Sequence, residues 1–299
     1  MNFIKRYGFF FITNLLVSVV LYTIAQVVIS QMGYPPGSYT GLFIFCFIFG
    51  MGGSFVSLMI SKWSAKRMMG LEAVAQGSAL TQKVHAFARK AGLSEMPEVY
   101  IYQSPEVNAF ATGPSRNNSL VAVSTGLLNS MSDDEVDGVL AHEVSHIANG
   151  DMVTMTLVQG IVNAFAMFLS YVITQIIMNA MRGDDDRDYR GGGSFFMQYM
   201  IRNVVYTLLN LLSYPLVMYV SRWREYRADI GSAKIVGRDK MIAALRRLQS
   251  NLDRTGKHDT NIEVMAISAP TRFAELFSSH PPLEKRIQAL NETRESGVI

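Results

Sequence analysis

"AHEVSHIANGD" (residues 141–151) decides how the rest of the chain is read. Two histidines four positions apart share one face of a helix, with Cβ atoms about 6 Å apart, so His142 and His146 can both reach one metal ion. Glu143 points beside that face. It is too close to its own turn to be a third ligand and well placed to touch a water on the metal. By amino-acid frequencies these residues at this spacing arise by chance in about one chain in a hundred of this length, so the pattern alone is suggestive. The flanks add weight. Ser132 and Glu135 can close a capping box, Met131 and Val136 occupy the staple positions, and Asp133 and Asp134 suit a helix N-terminus. Asn149-Gly150 supplies a stop. The helix expected over 133–148 also carries an apolar stripe, Val136, Leu140, Val144 and Ile147, with which to bury its other side.

Three protein ligands and an open position define a catalytic zinc site. Glu225, in "REYRAD" (224–229), is the best candidate for the third ligand. Asp229 is four residues further on the same helical face and can orient a zinc-bound histidine, His142, through its other ring nitrogen. On spacing alone, Glu225 paired with Arg222 or Arg224 at the surface carries equal weight.

Charged residues make up only 17% of the 299, below the roughly 25% usual for soluble proteins. The deficit is local: Tyr7 to Ser61 holds no Asp, Glu, Lys, Arg or His. Split at "QMGYPPGSY" (31–39), this segment gives two apolar runs, about 8–30 and 40–61, each long enough to span a bilayer. The first run is too long for a secretory signal, and no cleavage site follows it, so an anchor is expected. Met152 to Met181 is uncharged again, and 195–221 is apolar apart from Arg202 and Pro215. These give a second hydrophobic hairpin, 152–221, of one or two spans, about 152–181 and 195–221. The loop between its halves, "RGDDDRDYRGGG" (182–193), holds four Asp against three Arg. Lys5 and Arg6 before the first span, and Lys62, Lys66 and Arg67 after the second, place both flanks in the cytoplasm. Cys46 is the single cysteine and can form no internal disulfide. A net charge of +3 points to no nucleic-acid partner.

Between the hairpins, 62–151 reads as mixed α/β, with strands at "EVYIYQ" (98–103), "VNAFATG" (107–113) and "SLVAVSTG" (119–126). The remainder, 222–299, reads as helical, notably 239–252 and 280–290. The expected fold is an integral membrane α-helical anchor plus an α+β zincin-like domain with a small sheet and an HExxH helix. "VNAFATG" is expected at the sheet edge, where an extended substrate would add as a strand along Asn108, Ala109, Phe110 and Ala111. His85 and His258 have no motif around them and read as surface residues.

H-E-x-x-H followed by a distant E-x-x-x-D is similar to the gluzincin metalloproteases. "NAFATG", "SLVAVSTGLL", "AHEVSHIANGDM", "EYRADIGSA" and "HPPLEKRI" together resemble the HtpX family of membrane zinc metalloproteases, relatives of the CAAX prenyl proteases. The resemblance covers nearly the whole chain. It implies one zinc ion per chain on His142, His146 and Glu225, with Glu143 as the catalytic residue. It also implies His280 and Arg286 as a transition-state pair, with Tyr226 as another candidate donor. The activity implied is an inner-membrane endopeptidase with a cytoplasmic catalytic domain, acting on unfolded or membrane proteins in stress-related quality control. Two rivals remain at this point. An intramembrane metalloprotease is opposed by the acidic start of the HExxH helix. A non-catalytic zinc-stabilised scaffold has no need of Glu143.

Overall fold

The computed structural model describes residues 19–33, 35, 38–181, 192–255 and 276–295. His258, the first part of the expected first span (8–18) and most of the acidic loop (182–191) lie outside the described residues. The chain divides into two compact units. One comprises Met1–Ser57 with Thr156–Tyr214, the other Leu58–Met155 with Pro215–Ile299.

The first unit is built from long apolar helices. α1 is described from Val19 to Gln31. α2 (Tyr39–Met68), α6 (Asp151–Met181) and α7 (Gly192–Val236) are each long and apolar enough to cross a membrane. Small residues let α2 and α6 approach closely: a Cβ on Gly50 would fall 2.5 Å from the Ala164 nitrogen. Phe43 packs edge-on against Phe165 and Phe168, at 5.7 and 5.3 Å between ring centroids. Leu212 and Ile176 are exposed, as suits side chains that face lipid. Pro215 does not end α7, which runs on through the expected boundary at 221 to Val236. A broken helix in hydrocarbon would leave backbone groups without partners, so continuing past one missing N–H is the cheaper solution.

The second unit holds a mixed four-stranded sheet in the order β1-β2-β4-β3. Its strands are β1 (Glu72–Ala73), β2 (Glu98–Tyr102), β3 (Ala109–Ser115) and β4 (Asn118–Ser124). β2 and β4 run parallel, while β1 and β3 lie antiparallel at the two edges. α3 (Ala79–Lys90) and α5 (Asp133–Asn149) share a core with the sheet, formed by Val84, Val121, Val123, Leu140, Val144 and Ile147. α4 (Thr125–Ser130) links β4 to α5; α8 (Arg238–Thr255) and α9 (Leu283–Glu295) complete the unit. The capping box at Ser132 and Glu135 is formed as the sequence implies, and Gly150 closes α5 in the left-handed conformation at φ 71°. Two close approaches fix the helices on α5. A Cβ on Gly138 would fall 2.7 Å from the Lys240 carbonyl oxygen of α8. One on Gly231 of α7 would fall 2.6 Å from Ser145 Oγ.

Candidate metal centre

His142 and His146 project from one face of α5, as their spacing requires, and α7 crosses that face through the Gly231–Ser145 contact. The crossing brings Glu225 into the core of the unit at 1% exposure. Its Oε2 lies 3.4 Å from His142 Nε2 and its Oε1 lies 3.3 Å from His146 Nε2. The two Nε2 atoms are themselves 3.1 Å apart. His142, His146 and Glu225 thus form a group able to hold a metal ion.

The other ring nitrogens explain why a cation fits. His142 Nδ1 lies 3.0 Å from Asp229 Oδ1, and His146 Nδ1 lies 2.7 Å from Asp151 Oδ2. A carboxylate only accepts, so each Nδ1 carries the proton and donates it. Each Nε2 is then the ring nitrogen left for a metal, and both face the same point beside the carboxylate oxygens of Glu225. Two such nitrogens 3.1 Å apart need positive charge between them, a proton or a metal ion. Glu225 Oε2 also finds no hydrogen bond of proper geometry, although His280 Nδ1 and Arg286 Nη1 flank it at 3.0 and 3.5 Å. The donor set of two imidazoles and one carboxylate matches a three-ligand zinc site with an open position.

Charge around the site tells the same story. Burial alone would lower the pKa of His142, yet Asp229 and Glu225 outweigh it and raise it to about 9. His146 is raised likewise, burial being overcome by Asp151 and Glu225. Burial opposes the charge on Glu225, but the histidines around it hold its carboxyl well below the usual range. Carboxylates dominate this pocket, and without a metal ion they hold protons on the imidazoles, where a divalent cation would otherwise sit.

Arg286 is buried and grips Asp229 with a two-pronged bond, Nε to Oδ2 at 2.8 Å and Nη2 to Oδ1 at 2.6 Å. That fork holds Asp229 charged against its burial. Among the proposed transition-state pair, therefore, Arg286 stands behind the ligand shell, whereas His280 is exposed and touches Glu225. Tyr226 lines a cavity of about 270 Å³ together with Trp223, Pro281 and Pro282. Glu143 is half-buried on the turn that carries His142. His85 is half-buried, with Nε2 3.1 Å from the Pro97 carbonyl oxygen, and takes no part. Asp151 was not foreseen as a partner of His146. It reads as a cap for the next helix, and only the left-handed turn at Gly150 returns it to the imidazole.

β3 runs at the sheet edge and packs against the core that α5 shares. The Ser124 N–H donates to the Asn108 carbonyl. In the antiparallel register this turns the backbone groups of Phe110 towards β4 and those of Ala109 and Ala111 outwards. The β3–β4 turn also secures α5, since Arg116 Nη2 donates to the Asn149 carbonyl at 3.1 Å.

Residues 75–294 match the family described as Peptidase family M48. Protease HtpX of Tolumonas auensis is 48% identical over 296 residues, covering 97% of this chain and 100% of its own length. Protease HtpX of Aeromonas hydrophila is 47% identical over 292 residues, 96% of this chain and 99% of its own. Among solved structures, S. mikatae Ste24p superposes with a TM-score of 0.63 at 18% identity. It covers 94% of this chain, which spans 65% of the Ste24p chain, and the likeness is one of fold.

Proposed function

The chain belongs to peptidase family M48 and is a multi-pass inner-membrane metalloendopeptidase, and from that premise we propose how its residues divide the work. His142, His146 and Glu225 hold one zinc ion; Asp229 and Asp151 fix the two imidazoles, and Arg286 fixes Asp229. The convergence of both Nε2 atoms on the Glu225 carboxylate supports this reading above any other observation. Zinc bound there supplies a Lewis acid that makes water a competent nucleophile near neutral pH. Glu143, half-buried beside His142 on α5, would take a proton from water attacking the peptide carbonyl and deliver it to the leaving amine. His280 is exposed at the rim beside Glu225 and donates to the oxygen on which negative charge develops. The substrate lies extended along the open edge of β3, bonded to the outward backbone groups of Ala109 and Ala111 and flanked by Asn108 and Phe110. Such binding reads backbone more than side chains, which suits unfolded segments of many sequences.

Basic residues next to the apolar segments support a cytoplasmic catalytic unit: Lys62, Lys66 and Arg67 after the second, and Arg222, Arg224 and Arg227 after the fourth. Substrates are then unfolded cytoplasmic stretches of membrane proteins. On this reading the membrane anchor comprises 1–61 and 152–221, and the protease 62–151 and 222–299. Packing of α5 within the core of the sheet unit favours this over cleavage inside the bilayer. The test is the full-length Glu143→Gln variant. It keeps its zinc, and its cleavage of casein falls by about 10²–10⁴-fold; retained cleavage would remove Glu143 from the mechanism.

A further inference from the structure

Residues 199–214 of α7 read "YMIRNVVYTLLNLLSY". At 100° per residue, all eight side chains bearing a polar group fall within about 140° of arc, and all eight purely apolar ones fall in the remainder. The polar stripe extends about 22 Å along the axis, most of the roughly 30 Å hydrocarbon thickness. A helix that meets lipid on every side has no use for this segregation. Lipid accounts for one arc, where Val204, Leu208 and Leu212 are exposed. On the other, Arg202, Asn203 and Thr207 are also exposed.

The stripe meets part of its own hydrogen-bonding demand. Asn203 Nδ2, Thr207 Oγ1 and Asn210 Nδ2 each donate to the carbonyl four residues back, at 2.8, 2.9 and 2.8 Å. Each amide still has an oxygen and a second N–H to offer. Arg202 lies over the Tyr199 ring at 5.9 Å, and that ring cannot neutralise it. The only acidic residues in the sequence of this unit are Asp184, Asp185, Asp186 and Asp188, before α7 begins. No part of an apolar run offers Arg202 a counter-charge. Two copies docked symmetrically through this face would set Arg202 against Arg202.

We propose that the polar face of α7 is a docking surface for the membrane-spanning segment of a substrate, selecting segments that carry a carboxylate or other polar side chains within the bilayer. Such a segment is unstable in lipid on its own, because its polar groups lack partners there. Arg202 supplies the ion pair, and Asn203, Asn210 and Ser213 supply hydrogen bonds along the same line. The inference rests on the protease reading above and adds the class of membrane segment the enzyme prefers.

The test uses full-length enzyme in liposomes and two single-span model proteins with the same unfolded cytoplasmic tail. Their spans are identical Leu/Ala sequences apart from one central Asp. Wild-type enzyme is expected to cleave the Asp-bearing protein about tenfold faster than the other, the factor expected of one good intramembrane polar contact. Combining Arg202→Leu and Asn203→Leu abolishes that preference and leaves casein cleavage unchanged. In a Glu143→Gln background, a photocrosslinker at Thr207 captures the Asp-bearing span, while one at Leu208 does not. Equal cleavage of the two model proteins, capture from both positions alike, or capture of a second enzyme copy at Thr207 overturns the proposal. Failure of wild-type enzyme to cleave casein would instead overturn the protease reading beneath it.

Discussion

Asp151→Ala is the most discriminating substitution in the ligand support, because Asp151 has a single bond to His146 and no buried cation depends on it. Its side chain is fully buried and its Oδ2 lies 2.7 Å from His146 Nδ1. Removing the carboxylate leaves a buried ring N–H without an acceptor, which costs about 1–3 kcal/mol, and frees the ring to rotate or change tautomer. Each 1.4 kcal/mol is a factor of ten, so zinc affinity is expected to fall about 10–100-fold. Asp151→Asn keeps an acceptor oxygen and loses only the charge, so its loss is smaller than that of the alanine variant. Asp229 is a poorer probe: its loss strands the buried Arg286 guanidinium, and unfolding then obscures the metal effect. The assay is chelator competition on full-length protein, run below the melting temperature of each variant. Asp151 also begins α6, so a separate melt of the metal-free protein accounts for the helix-dipole contribution. A zinc dissociation constant for Asp151→Ala within about twofold of wild type, or a larger loss for Asn than for Ala, would refute the positioning role.

Gly231→Ala should force α7 away from Ser145, destabilising the protein by about 1–3 kcal/mol and lowering zinc content; a normal melt with full zinc would show that the contact is slack. Ala111→Pro removes an N–H from the open side of β3 and leaves the β4 ladder intact. It should lower kcat/KM for unfolded substrate about tenfold with little change in melting, and unchanged kinetics would detach β3 from substrate binding. Asp137 is held below the ordinary carboxylate range, its burial outweighed by Lys240 and Lys83 at 2.7 and 2.9 Å. The stabilisation is present above about pH 4, the unfolded value, and is lost as pH falls through the lower folded value. Asp137→Asn should therefore lower Tm at pH 7 and leave it nearly unchanged at the acid end; a constant difference across the range would contradict this linkage.

Local chemistry was the most legible in the sequence. The capping box, the stop at Gly150 and the histidine pair each lie within a few residues, and each formed as their physics requires. Glu225 was recognisable because Asp229 repeats along the same helix face, so one crossing helix carries a candidate ligand and its neighbour's support. Asp151 was hidden because its role depends on the sharp reversal at Gly150, whereas its immediate context reads as the start of another helix. Arg286 entered only through the resemblance, as one of a transition-state pair, and its fork onto Asp229 is visible only in the fold. α4 and β1 were missed because they are brief, whereas α3 was missed although Ser78 caps it and Thr81, Val84, Phe87 and Ala88 mark its buried face. The edge position of "VNAFATG" was anticipated, although the strand itself begins two residues later.

Zinc-edge X-ray absorption on the full-length Glu143→Gln protein probes the centre most directly. One zinc per chain, with two imidazole nitrogens and light oxygen donors at about 2.0–2.1 Å, is the expected result, with one carboxylate donor disappearing in the additional Glu225→Ala variant. A spectrum lacking paired imidazoles, or one that Glu225→Ala leaves unchanged, would contradict the site described.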